Sequence, residues 1–334
     1  MRKLLAVYKA LLPGKRGNVI RFGERDNAEG VWQASKKLYF CPSGSYHPIA
    51  GHNSCQYAYN SMYMDRIKTS QPAIVDAAVL HNEQVAPRYH LLSLRLDVSS
   101  GETSWLQGVA PGQFVQVDCR PAGILLRRPI SIYKWSREEL CLMLLVQRVG
   151  RGSNYMCDLK VGDKVNIVGP LGTPFATDPT IAGERPLLIA GGVGMAPIIM
   201  LARHLQQLST VRPHLIIGAR TASLLILRDE IDQIGCSYSY TTDDGSYGTR
   251  GAVLAAPELE LDNYSMVYTC GPRPMMRAIH NWAKKHNVPG QASLENLMAC
   301  GVGACLCCVE NIANQGNTCV CTDGPVFNFD QLLW

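Results

Sequence analysis

The chain has 334 residues, a net charge of +5 and a mean hydropathy of −0.02. This length suffices for two or three domains, and no apolar run is long enough to predict a membrane span. The excess charge lies in residues 1–63, which carry nine Lys/Arg and three Asp/Glu, so the main body has no basic surface that would indicate nucleic-acid binding. Thirteen cysteines without a recognisable signal peptide predict a cytoplasmic protein that binds metal rather than forming disulfides.

Residues 1–63 differ in composition from the rest of the chain. They are rich in Gly, Ser, Asn and Tyr, and we expect an extension of low order. A metal site could be drawn from Cys41, His47, His52 and Cys55, but their spacing fits no known template. A methionine pair, Met62 and Met64, precedes the first strand-like run, so a start site placed too far upstream is a second hypothesis. The mass of the protein made from its native gene would test it.

Residues 71–175 have a β pattern. Strand-like runs such as AIVDAAVL, HLLSLRLDV and PISIYKW are separated by turn signals such as APGQ and VGD. Short strands at this spacing predict a closed or nearly closed antiparallel barrel.

Two motifs in this region suggest a flavin. The first is Arg128-Pro129-Ile130-Ser131, where alternate strand side chains share one face and proline opens an edge. The second is Gly150-Arg151-Gly152-Ser153, where glycines lead into a predicted helix whose N–H groups would meet a pyrophosphate. An edge strand with a surface arginine would explain the first motif equally well alone, but together the motifs predict FAD.

Residues 185–286 have an α/β pattern, which predicts a parallel sheet with a ligand at the carboxyl ends of its strands. The buried run PLLIA ends in a glycine-rich turn containing Gly192 and Gly194, and a later strand ends in Cys270-Gly271. Glycines at strand ends are often only turn chemistry. Two such ends at one crevice nevertheless predict a site for a nicotinamide nucleotide, although G-x-G-x-x-G is absent.

Residues 288–334 form a cysteine-rich tail. Its C-x4-C-x2-C spacing and a later cysteine are typical of a plant-type [2Fe–2S] cluster. The predicted ligands are Cys300, Cys305, Cys308 and Cys321. Cys307 and Cys319 exceed the four-ligand count. A zinc site or a disulfide pair would be the alternatives, but zinc usually takes two C-x2-C pairs and disulfides need an exported protein.

The order of these parts resembles the electron transfer subunit of type B dihydroorotate dehydrogenase, in the ferredoxin–NADP reductase superfamily. The similarity covers about residues 71–334 and is most specific in the tail, from Leu294 to Trp334. It implies that Arg128, Pro129, Ile130 and Ser131 line the flavin, with Leu145, Val146 and Gln147 along it, and that Gly152 and Ser153 hold the pyrophosphate. It also implies the four cluster ligands above. Reductase subunits of bifurcating transhydrogenases and sulfhydrogenases share the layout but tend to differ in the tail.

This resemblance implies an electron relay. An FMN-containing catalytic subunit would oxidise dihydroorotate, and this chain would pass electrons through [2Fe–2S] and FAD to NAD+, in a heterotetramer with two of each subunit. A reductase of another redox complex and a redox sensor without enzyme activity are the alternatives. The choice between NAD and NADP stays open, because Arg220 could bind the 2′-phosphate of NADP.

Overall fold

The structure is a computed structural model that describes residues 72–98, 108–260 and 264–334. The predictions made for residues 1–63 lie outside the described residues. Among the described residues, no helix combines the length and the apolar character needed to cross a membrane.

Six antiparallel strands close into a barrel, which confirms the predicted architecture of this region. The strands are Ala73–Ala86 (β1), Tyr89–Leu96 (β2), Phe114–Val117 (β3), Arg128–Ser136 (β4), Cys141–Gln147 (β5) and Lys164–Leu171 (β6). Around the barrel their order is β1-β2-β5-β4-β3-β6. On β3, Val115 and Val117 point into the barrel core, so the alternate residues Phe114 and Gln116 lie on its outer face.

A seven-stranded sheet follows the barrel. Its main strands are Pro186–Gly191 (β7), His214–Ala219 (β8), Ser237–Thr242 (β9), Thr249–Arg250 (β10), Met266–Cys270 (β11) and Gly290–Ser293 (β12). They pair in parallel in the order β10-β9-β8-β7-β11-β12. The seventh strand, Val326–Asn328 (β15), pairs antiparallel with β12. The sheet is therefore mixed rather than purely parallel, because the cysteine-rich tail returns to fill the free edge of β12.

In the part of the chain that the structure describes, five helices accompany these strands. They are Arg151–Asp158 (α1), Pro179–Ala182 (α2), Met195–Gln206 (α3), Arg228–Asp232 (α4) and Arg273–Lys285 (α5). On α3, Ile198, Leu201 and Leu205 recur at helical spacing, which predicts one apolar face, and all three are fully buried.

The buried face of α5 is rotated slightly from the predicted one. The helical spacing of the sequence predicts Met275, Ile279, Trp282 and Ala283 on one face of α5. The structure buries Met276, Ile279, His280 and Ala283, while Met275 and Trp282 only flank the core. The imidazole of His280 takes part because it packs against aromatic rings of the C-terminal tail.

The cysteine-rich tail shares a hydrophobic core with the sheet. It contains the hairpin Val309–Ile312 (β13) and Gly316–Cys319 (β14). Residues of the tail, such as Val320 and Phe329, belong to one buried cluster with Leu187 and Val267 of the sheet. A Cβ atom at Gly290 of β12 would lie 2.2 Å from the Phe329 ring, so this glycine permits the close packing of tail on sheet.

A polar contact joins the barrel to the α/β region. The hydroxyl of Tyr133 on β4 is 2.5 Å from Oε2 of Glu230 on α4 and 2.6 Å from Nη2 of Arg203 on α3. The Arg203 guanidinium also lies over the Tyr133 ring, 4.7 Å from its centroid. Tyr133 is fully buried, so this contact fixes one face of the barrel against two helices.

Candidate functional site

The Arg128 side chain lies over the first turn of α1. A Cβ atom at Gly152 would be 2.8 Å from Cγ and Nε of Arg128, so only glycine leaves room for the arginine there. The guanidinium donates to the carbonyl groups of Leu126 and Arg127, at 2.9 and 3.2 Å. First-turn N–H groups have no acceptor within their helix and favour anions. A cation and a helix N-terminus thus meet at one place, which suits a phosphate.

The hydroxyl of Ser153 is used within the same turn. It accepts hydrogen bonds from the N–H groups of Val149 and Gly150, at 2.9 and 3.0 Å, and donates to the Gly150 carbonyl. The residue was predicted to hold a pyrophosphate, with its hydroxyl retained for that purpose. In this geometry the hydroxyl fastens the loop to the helix, and the backbone N–H of Ser153 is the group left for an anion.

The first half of β4 is the accessible part of that strand. Arg128, Pro129, Ile130 and Ser131 are all partly exposed, whereas the next residues, Ile132 and Tyr133, are fully buried. An accessible strand segment beside a phosphate-binding corner suits a flat ring system.

The three residues predicted on β5 differ in orientation. Val146 lies in the barrel core, so only its backbone can meet a ligand outside the barrel. Leu145 is buried in the apolar cluster shared with the α/β region, and Gln147 is partly exposed opposite Tyr89. Of the predicted set, Gln147 therefore offers the accessible side chain.

The two predicted strand ends of the sheet lie side by side. In the pairing of β7 with β11, Ala190 is opposite Cys270. A Cβ atom at Gly194 would lie 2.2 Å from the Cys270 carbonyl oxygen, and one at Gly271 would lie 2.5 Å from Cε of Met275. The glycines are needed for this close approach. Together the two ends form a crevice with little side-chain bulk.

Sequence reasoning missed two side chains at this crevice, Tyr89 and Glu295. The Tyr89 hydroxyl would lie 3.6 Å from a Cβ atom at Gly192, so the barrel contributes to the crevice. Glu295 lies two residues after the end of β12, and its charge acts on both Tyr89 and Cys270. Its side chain is exposed to solvent, yet the surrounding protein desolvates the carboxyl group and raises its pKa. Its position near the carboxyl end of a parallel strand was the sequence signal that could have identified it as a site residue.

The four predicted cluster ligands are held in one loop system. Backbone N–H groups point at three of the sulfur atoms: Val302 and Cys305 donate to Sγ of Cys300, Gly303 to Sγ of Cys321, and Cys321 to Sγ of Cys308, at 3.2–3.4 Å. Such donors stabilise thiolates and tune cluster potentials. Although burial opposes its ionisation, these N–H groups lower the pKa of the Cys300 thiol to about 7.

The thiols are arranged as two pairs. Cys300 lies within hydrogen-bonding reach of Cys305, and Cys321 of Cys308. In the described part of the chain, no three Cys, His, Asp or Glu side chains gather around a point where one ion would sit, and all eleven described cysteines are free. Four thiols in one loop system, with N–H groups aimed at three of them, fit a [2Fe–2S] cluster.

Three family models match successive parts of the chain. The match covers residues 76–175 for an oxidoreductase FAD-binding domain, 188–281 for an oxidoreductase NAD-binding domain, and 295–333 for the iron–sulfur cluster binding domain of dihydroorotate dehydrogenase B. The predictions of FAD, a nicotinamide nucleotide and an iron–sulfur cluster are thereby confirmed.

Relatives that match more than two thirds of the chain include electron transfer subunits of dihydroorotate dehydrogenase B. The electron transfer subunit of dihydroorotate dehydrogenase B (NAD(+)) from Desulforamulus reducens is 36% identical over 267 residues, which are 78% of this chain and 98% of that protein. The chain belongs to this family. The Streptococcus mutans subunit of the same name is 32% identical over 76% of this chain and 96% of its own length. The dihydroorotate dehydrogenase B electron transfer subunits serve pyrimidine biosynthesis beside a catalytic subunit, as NAD-linked flavin oxidoreductases.

Solved structures agree with this fold. A structure titled as the NADH-dependent reduced ferredoxin-NADP oxidoreductase, from work on flavin-based electron bifurcation, has a TM-score of 0.67 and 26% identity over 77% of this chain and 90% of its own. A ferredoxin reductase in carbazole 1,9a-dioxygenase has a TM-score of 0.56 at 24% identity, over 65% of this chain and 67% of its own. The dihydroorotate dehydrogenase B electron transfer subunit therefore has the barrel and sheet of a wider set of reductases.

Proposed function

We propose that this chain relays electrons from an FMN-containing dihydroorotate dehydrogenase subunit to NAD+. The observation that carries the proposal is the packing of the cluster loop on β3, the strand paired with the flavin-facing half of β4: Gln116 of β3 is opposite Pro129 and packs on Gly301 of the loop. When bound, the cluster supplies single-electron transfer and FAD couples it to the two-electron reduction of NAD+. The Gln116 side chain and the paired strands β3 and β4 would separate the cluster site from the flavin site.

The flavin would be held by the corner between β4 and α1. Arg128 and the N–H groups of Gly152 and Ser153 would neutralise its pyrophosphate. The ring system would lie along Pro129, Ile130 and Ser131. Leu145, Val146 and Gln147 of β5 would border it, Val146 through its backbone only.

The nicotinamide nucleotide would enter the crevice at the ends of β7 and β11. Gly192, Gly194 and Gly271 have no side chains to fill this space, and the buried Cys270 ends β11 next to it. A nicotinamide ring needs such an open approach to stack on a flavin. Burial raises the pKa of the Cys270 thiol, so this residue stays neutral and leaves the crevice without a thiolate charge.

The cluster would be held by Cys300, Cys305, Cys308 and Cys321. The loop exposes the first of these pairs more than the second, since Cys305 is exposed and Cys300 partly exposed, while Cys308 and Cys321 are buried. One side of the cluster would thus face outwards and the other would face the sheet.

Apolar residues surround the exposed side of this loop. Leu297, Val302 and Leu306 are 81%, 52% and 65% exposed. Exposed apolar groups close together mark protein contact sites. They support docking of the FMN subunit here, so that electrons enter at the exposed cysteines, and we propose a cytoplasmic heterotetramer with two copies of each subunit.

The test is reduction of NAD+ by dihydroorotate, with this chain prepared anaerobically together with the FMN subunit encoded nearest to it. We expect Cys305→Ser to abolish turnover while FAD stays bound, because Cys305 is exposed on the cluster loop and the groups that would hold the FAD pyrophosphate lie on β4 and α1. Cys307→Ser is the matched control, since the exposed Cys307 is not a proposed ligand, and its turnover should persist.

Unchanged turnover in Cys305→Ser would contradict the relay. A preparation with FAD and iron but no dihydroorotate-driven turnover would point instead to a reductase subunit of another redox complex, the alternative that the bifurcating reductase structure favours.

A further inference from the structure

Gln116 is a fully buried side chain whose amide has no partner. It lies on β3, is 0% exposed, and neither its Nε2 nor its Oε1 atom has a hydrogen-bond partner among the described residues. Buried polar groups in proteins are nearly always paired, and one that is not calls for a ligand, an ion or a water. An amide presents two donors and two acceptor lone pairs, so the unpaired Gln116 amide can bind either an acceptor or a donor.

The neighbouring Gln113 shows what a structural glutamine does at this edge of the barrel. Its Nε2 donates to the Gly172 carbonyl at 3.0 Å, and its Oε1 accepts from the Ala110 N–H at 2.9 Å. Gln113 is also buried, at 3% exposure. The two glutamines are three residues apart, and only Gln113 is satisfied within the fold.

The amide of Gln116 packs against the cluster loop. A Cβ atom at Gly301 would lie 2.9 Å from both Cγ and Nε2 of Gln116. Gly301 directly follows the proposed ligand Cys300 and has a positive φ of 73°. The loop therefore needs glycine at this position for two reasons: the backbone has a positive φ, and a side chain would collide with the Gln116 amide.

Charged neighbours do not compete for the amide. Arg127 donates to the backbone carbonyl of Gln116 at 3.3 Å, but its guanidinium also donates to the backbone and side-chain oxygens of Asn166. This interaction holds β3 in place and leaves the Gln116 side chain free to face the loop.

We propose that the Gln116 amide N–H donates a hydrogen bond to a sulfur atom on the Cys300 side of the bound cluster. The inference rests on the proposed ligand set and is independent of the partner subunit. Backbone N–H groups already donate to Cys300 and Cys321, and Gln116 adds a side-chain donor from the barrel. Because a donor favours the more negative, reduced cluster, Gln116 raises the reduction potential of the cluster.

The direct test is magnetic coupling between the amide nitrogen and the reduced cluster. The full chain is prepared with 15N in the side-chain amide of glutamine and reduced chemically, and pulsed electron paramagnetic resonance is recorded. We expect a 15N coupling in the unchanged chain that Gln116→Leu removes and Gln113→Leu retains. No such coupling in the unchanged chain would overturn the proposal, and this measurement does not depend on any variant folding.

The second measurement is the midpoint potential of the cluster. Loss of a hydrogen bond to a charged acceptor should lower the ratio of reduced to oxidised cluster at a fixed potential by about tenfold in Gln116→Leu. Gln113→Leu should leave that ratio unchanged, although it removes two buried hydrogen bonds. Equal ratios in both variants would overturn the proposal. Since chemical reduction replaces the partner, failure of dihydroorotate-driven turnover would leave both tests intact.

Discussion

Two cysteines that are two residues apart in the tail, Cys319 and Cys321, have opposite hydrogen-bonding roles. Sγ of Cys321 accepts the Gly303 N–H at 3.2 Å, whereas Sγ of Cys319 points at the Gly303 carbonyl oxygen, 4.0 Å away. A sulfur that accepts N–H groups is prepared to be a thiolate ligand, and one that faces a carbonyl is a neutral thiol. Burial raises the pKa of both thiols, so it is the hydrogen-bond partners that distinguish the two cysteines.

We therefore expect Cys321→Ser to lose the cluster and Cys319→Ser to keep it. The measurement is iron and sulfide content per chain with the visible absorption of the anaerobically purified protein. Equal loss in both variants, or loss only in Cys319→Ser, would show that the ligand assignment is wrong.

Sequence spacing could not make this distinction at the scale of single residues. The spacing predicts Cys300, Cys305 and Cys308 as ligands by their intervals, but Cys319 and Cys321 both lie at acceptable distances along the chain. Which sulfur faces the N–H of Gly303 depends on the loop backbone. The same limit applies to Val146. The family pattern placed this residue along the flavin, whereas in the structure its side chain points into the barrel core.

The contact between β4 and the start of α1 depends on one glycine. A Cβ atom at Gly152 would collide with the Arg128 side chain, whereas one at Gly150 would meet nothing within 4 Å. Gly150 also has an extended backbone, with φ of −168°, which any residue adopts.

We expect Gly152→Ala to displace Arg128 and weaken FAD binding roughly tenfold or more, the scale of a lost charge-assisted contact to phosphate. Gly150→Ala should bind FAD as the unchanged chain does. Fluorescence titration of apoprotein with FAD gives the two dissociation constants. If both variants bound equally well, Arg128 would not be holding the pyrophosphate.

At the scale of elements, the sequence located the strands of the barrel and β7, β8, β9 and β11 of the parallel sheet, but it missed the short strands β10 and β12. Alternation and turn residues are local signals, so these elements could be found without the fold. The strand β15 was missed because three residues carry no periodicity. Its pairing is decided by the free edge of β12 and by the burial of Val326 and Phe327, which only the assembled sheet provides.

At the scale of the whole molecule, the contact of Tyr133 with Arg203 and Glu230 joins the barrel to the α/β region. Burial strongly raises the pKa of Tyr133, so its hydroxyl stays protonated and can donate to the Glu230 carboxylate. The partners lie 70 and 97 residues along the chain from the tyrosine. No local pattern could have predicted this contact.

We expect Tyr133→Phe to lower the free energy of unfolding by about 1–3 kcal/mol, because it leaves Arg203 and Glu230 with a missing partner in a buried site. Tyr155→Phe is the matched control. Its half-buried hydroxyl has no hydrogen bond to a described residue, and its change should stay within about 0.5 kcal/mol. Thermal unfolding of the FAD-loaded proteins measures both, and similar losses would contradict a specific role for the contact.

The antiparallel strand β15 also limits how this protein can be recombined. Val326 and Phe327 belong to the cluster-binding tail but complete the edge of the nucleotide-binding sheet. Transplanting the tail onto another reductase would therefore require a recipient sheet with a vacant edge and a glycine like Gly290 beneath the Phe329 ring. Gene fusions that keep the cysteine spacing and omit β15 should yield a tail that has the ligands but cannot pack on the sheet.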